Sequence, residues 1–468
     1  MSDPRNTTAI VWLRNDLRLS DNPALHYALR HHSKVACVYI DERAADDNPP
    51  ANAWWLREAL LDLSGQLEGR LLFRRGDAAE ALDTLVEKLQ AAAVYWNRRY
   101  EPQQRALDSR IKQSLKSRGL SVGSFCGNLL YEPWEIAKAD GGPYRVFTPF
   151  YKMARQQGLV EPTAMPDAPL LSKLQAGDRS DRKAIEALPT FTWASSFAAH
   201  WQPTRSSALE RLRDFRAQAI AHYQDHRNLP AEPGVSRLSP YLHFGQIGVR
   251  EIAAQVEHDA GAEDFLRELI WREFAVYIQY HWPEALEHPM DKRFEQMPWR
   301  DDGEALAAWQ RGRTGIPMVD AGMRELWHTG LMHNRVRMVV ASFLCKHLLI
   351  DWRRGADWFE YTLLDADLPN NRMGWQWCAG SGVDAAPYFR VFNPASQGQR
   401  FDKDGDYVRR WVPELAKLPN KWLNQPWDAP HDVLKSAGVK LGGNYPKPLI
   451  GLKEGRERAL KAWELLRT

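Results

Sequence analysis

The sequence is short of cysteine, of long apolar runs and of net charge, and each shortage narrows the reading. Four cysteines, Cys37, Cys126, Cys345 and Cys378, are scattered through 468 residues. No Cys-x-x-Cys pair and no cysteine–histidine cluster at zinc spacing is present, so free buried thiols in a reducing compartment are expected, with no metal site. No stretch approaches a membrane-spanning length of apolar residues, which argues against a transmembrane helix and a membrane partner. The opening residues, "MSDPRNTTAIVWLRND", lack the basic and then apolar segments of a secretory signal, so a cytoplasmic enzyme is expected. The 62 basic and 59 acidic residues leave a net charge of +3. That balance neither demands nor excludes a local basic groove for nucleic acid. Internal repeats and low-complexity tracts are also missing.

Tryptophan, in contrast, is abundant, with 20 in the chain. Indoles fill cores and interfaces, and they also serve as stacking platforms for bases. The 44% apolar content suits a globular protein. The length exceeds what one core sustains, so two or three domains are expected.

The first part of the chain alternates between two patterns. "AIVWL" (9–13), "VACVYI" (35–40), "LLFRR" (71–75), "AVYWN" (93–97) and "LSVGSF" (120–125) read as short apolar strands. Helical segments near 22–31, 53–68, 78–90 and 102–118 separate them. Strands divided by helices predict an α/β domain over 1–133, with a doubly wound parallel sheet. A G-x-G-x-x-G fingerprint is missing after the first strand, which argues against a nicotinamide-type site. Over 134–203, Pro143, Pro149, Pro162, Pro166, Pro169, Pro189 and Pro203 punctuate a polar stretch. That stretch reads as an interdomain linker without sustained helices. From 204 to 468 the apolar spacing turns helical, predicting an all-α domain.

Four segments stand out in the second half. In "ELIWREF", Glu268, Trp271 and Arg272 share one helical face. They form either a surface ion pair beside a core indole, or an aromatic wall with a sheltered carboxyl whose pKa is raised. In "MHNRVRM", Asn334 and Met338 share a face while Arg335 and Arg337 point elsewhere. Arginines among so many apolar neighbours are expensive unless paired, although a solvated basic edge is the plainer reading. "VSRLSPYLHFG" (235–245) offers either ordinary helix capping or a cradle for phosphate. "DADLPNNRMGWQW" (365–377) crowds two acids, two asparagines and two indoles together. Paired acids suggest a metal, but no histidine or third carboxylate completes a site, and they equally suit the hydroxyls and ring N–H groups of a cofactor.

Taken together, these segments resemble the photolyase/cryptochrome family over essentially the whole chain, and "VWLRNDLRLSDNPAL" resembles the start of that family's α/β domain. Within the family the likeness is greatest to the branch that repairs cyclobutane pyrimidine dimers. The resemblance implies FAD held in the helical domain by Tyr223, Val235, Ser236, Arg237, Leu238, Ser239, Arg337, Asp365, Ala366, Asp367 and Asn371. Val235 stands where Thr is usual, which leaves the backbone donors of that segment. Asn371 is implied to face the flavin N5, with Arg337 as the partner of the acids.

The resemblance further implies ultraviolet-damaged DNA as partner, its dimer flipped out to meet Glu268, Trp271, Asn334, Met338 and Trp377. Arg227, Arg335 and Gln397 match positions that contact the strand, largely through salt-sensitive electrostatics. Light-driven electron transfer from reduced FAD would split the dimer, with Glu268, Asn334, Met338 and Asn371 in catalytic positions. Trp375, Trp352 and Trp299 match the family's electron relay. A (6-4) photolyase would carry histidines at 334 and 338. A cryptochrome-type blue-light receptor, the rival without repair activity, often has a long C-terminal tail and, in plants, an acid at 371. A second, antenna chromophore is implied near Gln103 and Gln104, with methenyltetrahydrofolate ahead of deazaflavin. A monomer is expected. Arg372 and Met373 replace small residues common in relatives.

Overall fold

The computed structural model describes residues 7–43, 49–175, 177, 179–189 and 192–466. Five strands, β1 (Thr8–Leu13), β2 (Lys34–Asp41), β3 (Leu71–Arg75), β4 (Ala91–Asn97) and β5 (Ser121–Phe125), form one sheet in the order β3-β2-β1-β4-β5. All pairs are parallel; Val11 of β1 faces Cys37 on one side and Tyr95 on the other. Helices α1 (Pro23–His31), α2 (Ala51–Gln66), α3 (Ala78–Leu89) and α4 (Pro102–Ser117) connect them. This is the doubly wound α/β sheet expected from the sequence. Its strands are apolar because helices cover both faces. One of those layers joins Ile10, Trp12, Val38 and Trp96 of the sheet to Leu82, Leu85 and Ile111 of the helices.

The chain divides into two compact units, Met1–Gln218 with Arg237–Pro283, and Ala219–Ser236 with Glu284–Thr468. These divisions fall elsewhere than the expected 133/134 and 203/204 boundaries. Side-chain hydrogen bonds account for the difference. The Trp55 indole donates to Gln246 Oε1 at 2.7 Å, the Arg205 backbone to Asp62 Oδ2 at 2.9 Å and the Leu130 backbone to Glu273 Oε2 at 2.9 Å, which joins residues beyond 203 to the sheet and its helices. The 134–203 stretch is also more ordered than a linker. It contains α5 (Phe147–Gln156), whose Phe147 and Phe150 are buried.

The second unit is helical. The helix-like stretch 322–352 is interrupted twice. The helix Pro317–Thr329 ends at Gly330, with φ +66°, and the helix Asn334–Ser342 passes into a π-turn at Phe343–His347. Glycine is the residue suited to that left-handed C-terminal position. The core of this unit gathers Trp309, Trp352, Phe359, Trp375, Tyr407 and Tyr445. Much of the tryptophan surplus is therefore structural.

Candidate functional site

Arg337 leaves the helix Asn334–Ser342 toward the acids. Its Nε donates to the Met332 carbonyl at 2.8 Å, and one Nη lies 2.9 and 3.0 Å from the two Asp365 oxygens. Asp365 has a nearly buried side chain, so this charge-assisted pair compensates both desolvated groups. Asp367, two residues on, takes a different task. Its Oδ1 accepts from the Asn370 backbone and side chain and caps the helix Leu368–Ala379.

Asn371 and Trp375, four residues apart, share a face of that helix, against Trp352–Thr362. The Asn371 amide nitrogen donates to the Ala356 carbonyl at 2.9 Å and to Glu360 Oε1 at 3.3 Å. Small residues permit this approach: a Cβ on Gly355 would lie 2.1 Å from the Trp375 ring. Arg372 places Nε 2.9 Å from Glu360 Oε1 and Nη 2.9 Å from Asp357. Its Nε is off the line of a hydrogen bond, so the Glu360 contact is an ion pair. Arg372 thus has a role in the structure; nothing explains the half-buried Met373. Burial, opposed by Arg372, raises the Glu360 carboxyl above its ordinary value.

Trp375 is buried; its ring neighbours are Phe359 at 5.0 Å and Trp309 at 6.0 Å. Trp309 was absent from the sequence-based site and is wholly buried, its indole donating to the Val340 carbonyl. Trp352 is buried beneath the Arg353 guanidinium, 5.1 Å from the ring centroid. Trp299 and Trp377 are half-buried and pack against the core, as does Met338.

A cationic group forms on the same unit. Arg335 grips Asn228 Oδ1 at 2.7 and 3.1 Å and lies over Phe401 at 4.5 Å. Burial, and then the charges of Arg227 and Arg400, pull Arg335 below its usual pKa. Arg227 lies 5.3 Å over the buried Tyr223 ring. Arg400 was missed by sequence reasoning, although it stands inside "SQGQRFD", beside Gln397, whose buried Oε1 finds no partner among the described residues. Asn334 is exposed, Ala366 is half-buried, and so are Val235 and Ser236. Gly234 before them is required, since a Cβ there would meet the His226 carbonyl at 2.7 Å.

Other expected residues belong to the first unit. Arg237 has φ +52°, and Leu238 precedes a five-residue helix, Ser239–His243, that no side chain caps. The capping reading of "VSRLSPYLHFG" is therefore overturned. Glu268 and Trp271 are half-buried on Ala262–His281, and Trp271 stacks on Phe147 of α5 at 3.6 Å. The ion pair of Arg272 is with Glu273 at 3.1 Å, not Glu268. The carboxyl that burial pushes up on this helix, to about 7, is Glu273. On α4, Gln103 is exposed, while Gln104 Oε1 is buried without a partner among the described residues. Among the described residues no group of three His, Cys, Asp or Glu side chains could hold a metal, and the cysteines are free.

Two family models match the chain: "DNA photolyase" over residues 9–169 and "FAD binding domain of DNA photolyase" over residues 265–465. A deoxyribodipyrimidine photo-lyase of Agrobacterium fabrum is 46% identical, over 98% of both chains. The chain belongs to the photolyase/cryptochrome family. A bacterial class III photolyase from Agrobacterium tumefaciens superposes with a TM-score of 0.93 at 45% identity, covering 99% of this chain and 98% of the other. Cryptochrome-1 of Arabidopsis thaliana is 37% identical over 98% of this chain and 71% of its own length. As a photolyase-family protein, the chain has an FAD-binding domain, and the donor set fits that cofactor. Both Asn371 amide hydrogens are engaged by protein acceptors, so Oδ1 is the group left for a ligand. The Arg337–Asp365 pair adds a fixed charge pattern on the same unit.

Proposed function

We propose that the chain is a light-dependent DNA-repair enzyme, a deoxyribodipyrimidine photo-lyase that splits cyclobutane pyrimidine dimers. The observation that carries this reading is its similarity, along nearly the full length, to a photo-lyase at 46% identity. Bound FAD supplies a light-excited electron donor in its reduced state. The chain's residues bind and orient. Tyr223, the 235–239 segment, Arg337, Asp365, Ala366, Asp367 and Asn371 hold the cofactor. Glu268, Trp271, Asn334, Met338 and Trp377 receive the flipped lesion, whose weakened stacking makes extrusion inexpensive. Arg227, Arg335 and Gln397 take the strand. Trp375, Trp352 and Trp299 conduct electrons inward from the surface.

Asn334 and Met338 cannot shuttle protons, which sets this site apart from (6-4) repair. The cryptochrome reading rests on the Arabidopsis likeness; Asn371 in place of an acid favours repair. Functionally, residues 1–133 form an antenna-type domain, 134–203 a connector and 204–468 the catalytic region. Methenyltetrahydrofolate remains the preferred antenna over deazaflavin, since the unpartnered Gln104 oxygen can accept from a pterin N–H. A deazaflavin band in the spectrum of protein from its native source would reverse that choice. No helix among the described residues is long and apolar enough to cross a membrane; a monomeric, cytoplasmic protein is proposed. Reduced protein should restore ultraviolet-damaged plasmid under blue light and not in darkness. Absence of restoration in the light overturns the repair reading. Trp375→Phe should lose photoreduction while repair by pre-reduced enzyme persists; loss of both would refute the relay.

A further inference from the structure

We infer that Glu360 is a positioning residue for Asn371: with the Ala356 carbonyl it fixes the amide so that only Oδ1 faces the bound flavin. The inference rests on the proposed placement of Asn371 at the flavin N5 and extends it to a group outside the motif. An asparagine side chain has two N–H donors and one acceptor oxygen. Amide nitrogen and oxygen are told apart by their partners. Here both partners are acceptors, a main-chain carbonyl at 2.9 Å and a carboxylate oxygen at 3.3 Å. Turning the amide over would set its oxygen against two oxygens, leaving both without a donor.

Glu360 is held in turn. Arg372 Nε lies 2.9 Å from its Oε1, and Arg372 is tied to Asp357 at 2.9 Å. Arg372 is thereby the outer support of a chain that runs Asp357, Arg372, Glu360, Asn371. The side chain of Arg372 is largely buried and that of Glu360 about one-third exposed, so the inner link is better shielded than a surface ion pair.

The consequence is a preference between cofactor states. Oxidised flavin presents an acceptor at N5; reduced flavin presents N–H there. An amide restricted to Oδ1 offers a hydrogen bond to the second and lone-pair repulsion to the first. Glu360 therefore favours the reduced cofactor without touching it.

The test measures bound FAD directly, by its midpoint potential and by its rate of reoxidation in air in the dark. Glu360→Ala frees the amide to turn. It should lower the potential and speed reoxidation about fivefold, the net worth of one hydrogen bond. Glu360→Gln, which keeps an acceptor oxygen, should stay within twofold of wild type. Arg372→Ala, which removes only the outer support, should fall between wild type and Glu360→Ala. Asn371→Ala separates the flavin placement of Asn371 from the role of Glu360. If Asn371→Ala leaves both readouts unchanged, the flavin placement of Asn371 fails. If Asn371→Ala moves them and Glu360→Ala does not, the positioning role of Glu360 fails. Should Glu360→Ala not fold, Arg372→Ala carries the test, and no change in it would overturn the proposal.

Discussion

Glu273 is a carboxyl with almost no water around it, 3% exposed. Its Oε2 accepts from the Leu130 backbone and its Oε1 from Arg272. Burial outweighs these partners and raises its pKa from 4.5 to about 7. A carboxyl that binds its proton more tightly in the folded state stabilises the fold most below the unfolded pKa. That contribution fades as pH rises through 7 and amounts to roughly 3 kcal/mol in all. Glu273→Gln is neutral at every pH and cannot titrate. Its stability relative to wild type should therefore rise between pH 5 and pH 8, read from thermal unfolding midpoints. Gln replaces one oxygen with nitrogen and costs a constant offset, so the slope with pH is the diagnostic quantity. A flat difference would show that Glu273 is ionised throughout. The sequence offered two readings for Glu268, a surface ion pair or a sheltered carboxyl, and neither pointed to Glu273. Counting helical positions placed Glu268 and Trp271 on a common face, but it could not show that the buried face of the helix takes in Glu273.

Gly355 shows how an element is fixed by what it lacks. A Cβ there would stand 2.1 Å from Trp375 Cη2, 2.4 Å from its Cζ3 and 2.7 Å from Leu344 Cδ2. The helices Trp352–Thr362 and Leu368–Ala379 therefore meet closely enough for Asn371 to reach the Ala356 carbonyl. Gly355→Ala should cost about 1 to 3 kcal/mol, the usual range for overpacking a core. It should also alter the near-ultraviolet circular dichroism of the Trp375 environment. An unchanged unfolding midpoint and spectrum would contradict the close approach. Elements of this kind differ in how plainly they can be read. The five parallel strands were legible because burial on both faces makes each a short apolar run. α5 was not, because Pro149 reads as a breaker. It lies in the first turn, where its missing N–H would have had no partner. The same error hid Phe147, the ring on which Trp271 stacks. Asp365 and Arg337 were legible as partners, since an arginine among valines demands an acid. Glu360 was not, because it lies on the preceding helix, outside the "DADLPNNRMGWQW" motif.

Over the whole molecule the charges nearly cancel, and a net +3 gives no reason to expect nucleic-acid affinity. The arrangement does. Arg227 and Arg400 each depress the pKa of Arg335, so three cations repel one another in one region of the second unit. Such a cluster is unfavourable for the free protein and is relieved by phosphate. If the proposed DNA contact is made there, each arginine that neutralises a phosphate contributes about 0.9 to the slope of log K against log salt on duplex DNA. Arg400→Ala should weaken binding to an irradiated duplex at low salt and reduce the slope by about one. Arg335→Ala should do the same, and the double variant should reduce it by about two. Arg182→Ala, which removes an exposed arginine of the first unit paired with Glu186, serves as the control and should leave the slope unchanged. The comparison has to be made over a salt series, because a single affinity mixes this electrostatic part with lesion recognition. A variant that weakens binding equally at every salt concentration would have lost packing, such as Arg335 over Phe401, and not a phosphate contact. Unchanged slopes in both single variants would move the strand away from this cluster altogether.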